Sequence, residues 1–197
     1  MALRIDELSA RIAELERELE EQLNRQGKQW RYRVEHGRIR FEQEVHWAHE
    51  RLKQSIPAFL RESDPLAILS APVIYSLVIP IALLDLWITL YQLLCFPLYR
   101  IARVRRSAYI VFDRSHLAYL NAIEKVNCRY CSYANGVFAY MREVAARTEQ
   151  YWCPIRHAKR VIAPHAHYRE FVEYGDAEAY KKRLPMLRAE LRDDSHK

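Results

Sequence analysis

Glycine is scarce in this chain, at 4 of 197 residues, and only 4 cysteines are present. A sequence so poor in glycine disfavours an all-β or loop-rich fold and favours helices. The first twenty residues are highly charged and lack the apolar core that a secretory signal peptide requires. Four cysteines are too few for a secreted disulfide framework of this length, so we expect reduced or metal-bound thiols that face the cytosol.

Charge is almost absent from residues 65–99, where 35 residues contain a single ionised side chain, Asp85. A helix of about 20 residues crosses the core of a bilayer, so this apolar run predicts a membrane-embedded segment. Pro72 and Pro80 interrupt the run. We therefore predict either one Pro-interrupted membrane helix or a tight helical hairpin, and the basic flanks on both sides favour the hairpin.

The positive charge of the chain, +6 in total, lies after the apolar run. Residues 1–64 carry 12 Lys/Arg and 13 Asp/Glu, whereas residues 98–197 carry 19 and 11, a net charge of +8. Such an excess suits an anionic membrane surface or nucleic acid. The adjacent apolar run favours the membrane, and the absence of a recognisable readout module disfavours nucleic acid. Because basic flanks stay in the cytosol, we expect the C-terminal part to be cytosolic.

The apolar run divides the chain into three predicted regions. Residues 1–64 predict an N-terminal arm of amphipathic helices, over 3–26 and then over 30–62. The first helix is either a coiled coil with a partner or a helix that packs on its own chain, because its apolar positions recur three and four residues apart: Ile5, Leu8, Ile12, Leu15, Leu19 and Gln22. Residues 65–99 form the membrane segment. Residues 100–197 predict a small basic helical domain, so the fold class is all-α, with helices at 113–127, 135–151, 164–176 and 176–191.

Three of the cysteines and one histidine occupy short paired spacings. Cys128 and Cys131 form C-x2-C, and Cys153 and His157 form C-x3-H, with 21 residues between the pairs. Each pair can bring two ligands to the same side of a turn. Together they constitute a Cys3His set, which suits zinc in tetrahedral geometry or, as an alternative, an iron–sulfur cluster.

Other arrangements of these residues stay open. If residues 137–150 form one straight helix, the two pairs lie at its opposite ends, and they would meet across a dimer or remain separate. In the separate case the second pair would belong to its own cluster of Cys153, His157, His165 and His167. The remaining alternatives are a redox dithiol at Cys128 and Cys131, or plain packing of small apolar thiols.

Two stretches of this region, CRYCSYANG at residues 128–136 and ARTEQYWCPIRH at residues 146–157, resemble segments of short uncharacterised bacterial membrane proteins. The resemblance covers 30 residues of the chain. It implies residence in a bacterial membrane, for which we expect the inner membrane. It implies no activity.

The sequence names no reaction. It contains no glycine-rich phosphate loop, G-x-S-x-G elbow or H-E-x-x-H motif, which removes support from several large enzyme classes. We expect a membrane-anchored, non-enzymatic protein whose metal-stabilised cytosolic domain recruits or scaffolds partners. The alternative is a membrane-bound redox or metalloenzyme subunit. Expected partners are the lipid bilayer and, through the N-terminal helix, a second copy of the chain or another protein.

Overall fold

The computed structural model describes residues 10–192, except 13, 16, 20, 23–24, 26–31, 36–37 and 42. Its contacts divide the chain into two compact units. The first contains the chain up to Glu62 together with Asp113–Val126, and the second contains Ser63–Phe112 together with the chain from Asn127 onward. Most described residues are helical, which confirms a mainly helical fold.

The N-terminal part of the first unit is helical at every described position between residues 10 and 25. The heptad positions described there are exposed: Ile12, Leu15 and Leu19. Within the described part of the chain, nothing covers this stripe, so the helix does not pack there on its own chain. A coiled coil with a partner stays a prediction. Other residues on which the helical interpretation of this arm relied lie outside the described ones: Ile5, Leu8, Gly27, Trp30 and Gly37.

A β-hairpin replaces the first third of the helix predicted over residues 30–62. Strands β1 (Tyr32–Glu35) and β2 (Arg38–Phe41) pair antiparallel across a connection of two residues. The helical prediction is wrong here because apolar residues seven apart, such as Val34 and Phe41, also occur across a hairpin. Alternating apolar and polar residues around a two-residue, glycine-containing connection are the hairpin pattern.

The rest of the first unit is helical and short. Helices α1 (Gln43–Arg51) and α2 (Ile56–Glu62) follow the hairpin, so the rest of the predicted helix is helical except at residues 52–55. The His49 ring packs edge-on against the Tyr119 ring, with 5.2 Å between centroids. This contact joins α1 to the stretch that follows a 3-10 turn at Asp113–His116.

The apolar run forms one long helix with a single interruption. Helix α3 (Pro65–Ser76) and helix α4 (Val78–Tyr99) are separated by Leu77 alone. Pro80 has no amide proton and therefore leaves the Ser76 carbonyl without its helical partner. The interruption thus lies within the turn that precedes Pro80, as the sequence predicts for a Pro-interrupted helix.

Residues 100–112, which we call the return segment, reverse direction after α4 and run back along it. The backbone of Val104 pairs with the side chain of Gln92, about two turns before the end of α4. Farther along the segment, Arg106 reaches Asp85, two turns earlier still on α4. The arginines that follow the apolar run therefore lie beside the helix rather than beyond its end.

After the single-turn helix α5 (Arg106–Tyr109), helix α6 (Ala122–Trp152) runs alongside the apolar helix in the same direction. Contacts between the two advance together: Ile74 with Tyr130, Asp85 with Tyr133, Gln92 with Tyr140, and Tyr99 with Tyr151. A hairpin within this stretch would reverse the order of the contacts. The predicted hairpin is therefore wrong, and one Pro-interrupted helix is what the structure has.

The C-terminal region contains fewer helices than the four that the sequence predicts. Asn121 and Glu124 form a reciprocal cap, in which the Glu124 amide donates to Asn121 Oδ1 (3.0 Å) and the Asn121 amide to Glu124 Oε2 (2.8 Å). This cap starts α6, which joins only residues 122–127 of the first predicted helix to the second in one element. The third is only a 3-10 turn, Ala166–Glu170, whereas the fourth is confirmed as α7 (Ala177–Glu190) with Pro185 inside it.

The core of the second unit lies where α4, the return segment and α6 meet. One buried cluster contains Phe96, Ile101, Val104, Tyr140, Val144 and Leu191. A second, nearer the start of α4, contains Ile81, Ile110, Ala134 and Val137. Both clusters take side chains from all three elements, so the return segment is part of the core and not a surface loop.

Gly136 allows the return segment to approach α6 closely. A Cβ atom at this position would lie 2.7 Å from the carbonyl oxygen of Tyr109 and 2.9 Å from Cα of Ile110. Most of the clash is with backbone atoms, so rotation of a side chain cannot relieve it. The glycine is therefore required by packing.

We predict that Gly136→Ala destabilises the protein by about 1–3 kcal/mol, the usual cost of overpacking. This loss outweighs the gain in helix propensity, which is about 1 kcal/mol. The measurement is the urea midpoint in mild detergent, followed by near-ultraviolet circular dichroism. Asn135→Ala, at the exposed neighbouring position, is the control and should change stability by less than about 0.5 kcal/mol. A Gly136→Ala protein as stable as the wild type would place the return segment elsewhere.

Candidate membrane face and polar cluster

Helices α3 and α4 present a continuous apolar surface to solvent, which we call the apolar face. Its most exposed members are Leu66, Leu69, Val73, Ile79, Leu83, Trp87, Leu94 and Leu98. Every exposed side chain on α4 is apolar. The helix Pro65–Tyr99 is long and apolar enough to cross a membrane, and only 6% of its most apolar window is buried. A core helix of a soluble protein would be largely covered, so this surface needs an apolar environment.

The opposite side of α4 carries the one charge of the apolar run. Asp85 is buried and accepts hydrogen bonds from Arg106 Nε (2.8 Å), Arg106 Nη2 (2.6 Å) and the Tyr133 hydroxyl (2.9 Å). The forked guanidinium matches the two carboxylate oxygens, which makes this a strong, directional contact. A buried carboxylate without such partners would be costly. Asp85 therefore attaches the return segment and α6 to the same point of α4.

Gln92 makes a second attachment two turns later on α4. Its Oε1 accepts from the Val104 amide (3.0 Å), and its Nε2 donates to the Val104 carbonyl (3.2 Å) and to the Tyr140 hydroxyl. The side-chain amide thus completes the backbone hydrogen bonds of Val104, which a strand partner would otherwise supply. Asp85 and Gln92 together explain why an otherwise apolar helix contains two buried polar residues.

A polar cluster lies at the C-terminal end of α6, around Glu143. Arg147 Nε donates to Glu143 Oε1 (2.8 Å), and Arg147 Nη1 donates to the Ala102 carbonyl (2.8 Å). His167 Nε2 lies 3.0 Å from Glu143 Oε1, and its Nδ1 lies 2.6 Å from Gln150 Oε1. Both ring nitrogens therefore lie within hydrogen-bonding distance of a side-chain oxygen. The cluster joins α6 to the return segment and to the 3-10 turn that contains His167.

The charge of Glu143 is stabilised by these neighbours. Burial raises the pKa of its carboxyl, but hydrogen bonds from His167 and Arg147 and their positive charges outweigh burial and lower the pKa to about 2. The side chain is 13% exposed, so solvent screens these contacts only weakly. Glu143 is therefore ionised at neutral pH and contributes stability through its partners.

The predicted metal ligands lie far apart. Cys128 and Cys131 are inside α6, and Cys153 follows its last residue. Because the helix is uninterrupted, the 22 positions from Cys131 to Cys153 correspond to about 33 Å of rise. One ion cannot contact both cysteines, so a single chain does not assemble the predicted Cys3His site with His157. Across the residues that the structure describes, no group of three or more His, Cys, Asp or Glu side chains is placed to hold a metal ion.

The alternative cluster of Cys153 with three histidines does not form either. His165 Nε2 pairs with Glu149 Oε2 (2.9 Å), and the His157 ring stacks on Tyr168. His167 belongs to the polar cluster around Glu143, and Cys153 is exposed. The side-chain hydrogen bonds of His165 and His167 thus go to different residues, and both histidines pair with helix α6 rather than with Cys153.

Some of these contacts have a signal in the sequence. A lone carboxylate inside an apolar helix indicates a paired or functional group, although nothing marks Arg106 among the four nearby arginines as the partner of Asp85. Glu143 and Arg147 are four apart on a helix, the spacing of an ion pair. His167 joins them only through the fold, so no local pattern predicts it.

Comparison of the chain with protein-family models, with curated proteins and with solved structures gave no match. The resemblance of residues 128–157 to bacterial membrane proteins therefore stays a prediction. The apolar face and the contacts beneath it are the features of the structure that bear on function.

We predict that Glu143 makes stability depend on pH below about 4.5. Its pKa is about 2 in the folded chain against 4.5 for the free side chain, so the unfolded chain binds the proton first as the pH falls. The stabilisation is complete above pH 4.5 and is lost progressively towards pH 2, by roughly 3 kcal/mol.

Urea unfolding of wild type and Glu143→Gln between pH 7 and pH 2 tests this prediction. The Gln variant should be less stable at neutral pH, and the difference from wild type should shrink as the pH falls. Glu178→Gln, at the exposed start of α7, is the matched control and should keep the wild-type dependence on pH. A constant difference between wild type and Glu143→Gln would contradict the lowered pKa.

Proposed function

We propose that the protein is a membrane-anchored, non-enzymatic scaffold that attaches to the bilayer through the apolar face. The observation that supports this is the surface of helix α4. The polar helix α6 covers one side of α4, and the other side is exposed only through apolar residues. Water is a poor environment for such a surface, and lipid is a favourable one. The net charge of +8 over residues 98–197 adds attraction to anionic headgroups.

The scaffold role rests on surfaces that the fold leaves available. On the N-terminal helix the stripe of Ile12, Leu15 and Leu19 is exposed, as expected for a helix that pairs with a second copy of the chain or with another protein. A membrane anchor linked to a pairing helix would concentrate partners at the bilayer. This proposal places both chain termini in the cytosol at a bacterial inner membrane, on the basis of the basic flanks and the resemblance of residues 128–157.

Zinc remains a proposal only as a site between two copies of the chain. Cys128 and Cys131 are three apart on α6, so their sulfurs share one side of the helix, and Cys131 is exposed. Two such pairs, one from each copy, would supply four thiolates for tetrahedral coordination. The redox or metalloenzyme alternative, with zinc or an iron–sulfur cluster, would need the same assembly.

We predict that the apolar face is necessary for membrane attachment. Leu83→Gln, Leu94→Gln and Leu98→Gln together should move the protein from the membrane pellet to the supernatant after a carbonate wash. Each buried leucine is worth about 1.5–3 kcal/mol, so each substitution should weaken partitioning at least tenfold. Because these side chains are exposed in the fold, the urea midpoint should change little.

Ile162→Gln is the control for this experiment, since Ile162 is an exposed apolar residue outside the apolar face. It should leave the protein in the pellet. Wild-type protein that carbonate or high salt releases from the membrane would sink the proposal.

We predict that metal binding requires Cys128 and Cys131, the C-x2-C pair, and no other cysteine. Elemental analysis of detergent-purified protein should find one zinc for every two chains, and Cys131→Ala should remove it. Cys153→Ala and Cys95→Ala are the controls and should retain it. Absence of metal in the wild type, or equal loss in Cys153→Ala, would contradict the intermolecular site.

A further inference from the structure

Almost the whole of the polar helix α6 lies beside the apolar helix, whose part from Ile74 to Tyr99 it contacts. Contacts from Ile74 with Tyr130 to Tyr99 with Tyr151 keep the two helices side by side. The stretch of α6 between these contacts contains four charged side chains of both signs, all of them after residue 141: Arg142, Glu143, Arg147 and Glu149. Any depth that the second half of α4 reaches in a bilayer is therefore also reached by charged parts of α6.

An upright α4 would place these groups in hydrocarbon. Its 22 residues are about 33 Å long, close to the roughly 30 Å core of a bilayer. Arg142 is exposed and would lie inside the core, together with the cluster around Glu143. Charged side chains at such depth are costly unless they line an aqueous or protein interior.

The return segment gives a second, independent objection to a spanning orientation. Residues 101–105 have no regular secondary structure, and they lie beside the second half of α4. Arg103 and Arg105 are exposed there. Irregular backbone facing lipid is not found within the hydrocarbon region, since no water satisfies its polar groups.

We propose that α3 and α4 lie parallel to the plane of the bilayer, with the apolar face in the outer part of one leaflet and α6 on the aqueous side. The amphipathic unit is the pair of helices, because α4 supplies the apolar half and α6 the polar half. This inference rests on the proposed function and adds an orientation to it. The chain then does not cross the membrane, so both termini stay on one side without a hairpin.

The lipid surface that fits this arrangement carries anionic headgroups. Arg103 and Arg105 flank α4 and remain exposed, at the level where headgroups would meet a helix that lies flat. A basic residue near an anionic surface strengthens attachment about fivefold. The Arg103→Gln, Arg105→Gln double variant should therefore bind anionic vesicles roughly 25-fold more weakly and bind zwitterionic vesicles as wild type does. Equal weakening on both vesicles would show that the arginines act on the fold and not on headgroups.

Fluorescence depth measurements test the orientation. Trp87 lies in the middle of α4 on the apolar face, Leu69 lies in the first half of α3, and Leu98 lies at the end of α4, all at least 70% exposed. The samples are wild type, Trp87→Phe, and Leu69→Trp or Leu98→Trp in the Trp87→Phe background. Each is bound to vesicles of phosphatidylcholine and phosphatidylglycerol whose chains carry bromine either near the headgroup or near the methyl end. Subtracting the Trp87→Phe signal isolates one tryptophan at a time.

The in-plane orientation predicts that all three tryptophans have the same depth, about 5–10 Å into the boundary between headgroups and chains. A deep Trp87 with shallow tryptophans at both ends would establish a spanning helix and overturn the inference, while leaving membrane attachment intact. Bound protein whose three tryptophans are unquenched would show attachment through another surface. Failure to float with vesicles would overturn the proposed function itself, and a dimer that buries Trp87 in solution would identify a second copy as the occupant of the apolar face.

Discussion

The pairing of Asp85 with Arg106 sets the geometry of the second unit. A carboxylate in the middle of an apolar helix must find a partner, and here the partner comes from the segment that follows the helix. To reach Asp85, the return segment has to run back along α4, which brings Val104 to Gln92 and Ile110 to Ile81. The same carboxylate accepts from Tyr133, so α6 is held to the same point.

At the far end of the unit another buried carboxylate, that of Glu143, links α6 to neighbouring segments in the same way. Glu143 has two partners: Arg147, which reaches the return segment, and His167, which lies on the 3-10 turn. A domain with few long helices needs such links, because its apolar core is small. The cluster around Glu143 supplies links of this kind. The metal that the sequence predicts stays a proposal, as a site between two chains.

The sequence predicts elements well where the signal is local. The apolar helix, its proline interruption and α7 with Pro185 follow from composition and caps, and they are found. The hairpin at β1 and β2 is missed because apolar residues seven apart occur in both a helix and a hairpin. The continuity of α6 is missed because Cys128 and Cys131 suggest a metal-binding turn, whereas the Asn121–Glu124 cap places both inside a helix. The pairing of Asp85 with Arg106 and of Glu143 with His167 depends on chain reversal, which no local pattern contains.

The orientation of the apolar helix shows why hydropathy and neighbours have to be considered together. Length and composition say that the Pro65–Tyr99 helix can reach across a bilayer, but both properties belong to the helix alone. What a membrane accepts is the surface of the whole unit at each depth. Here one side of that surface is apolar over its full length, and the other carries the charges of α6 and the return segment. If the boundary between lipid and water runs along the helix, the apolar side faces lipid and the charged side faces water. If the helix crosses the bilayer, the apolar side still faces lipid, but the charged side does too.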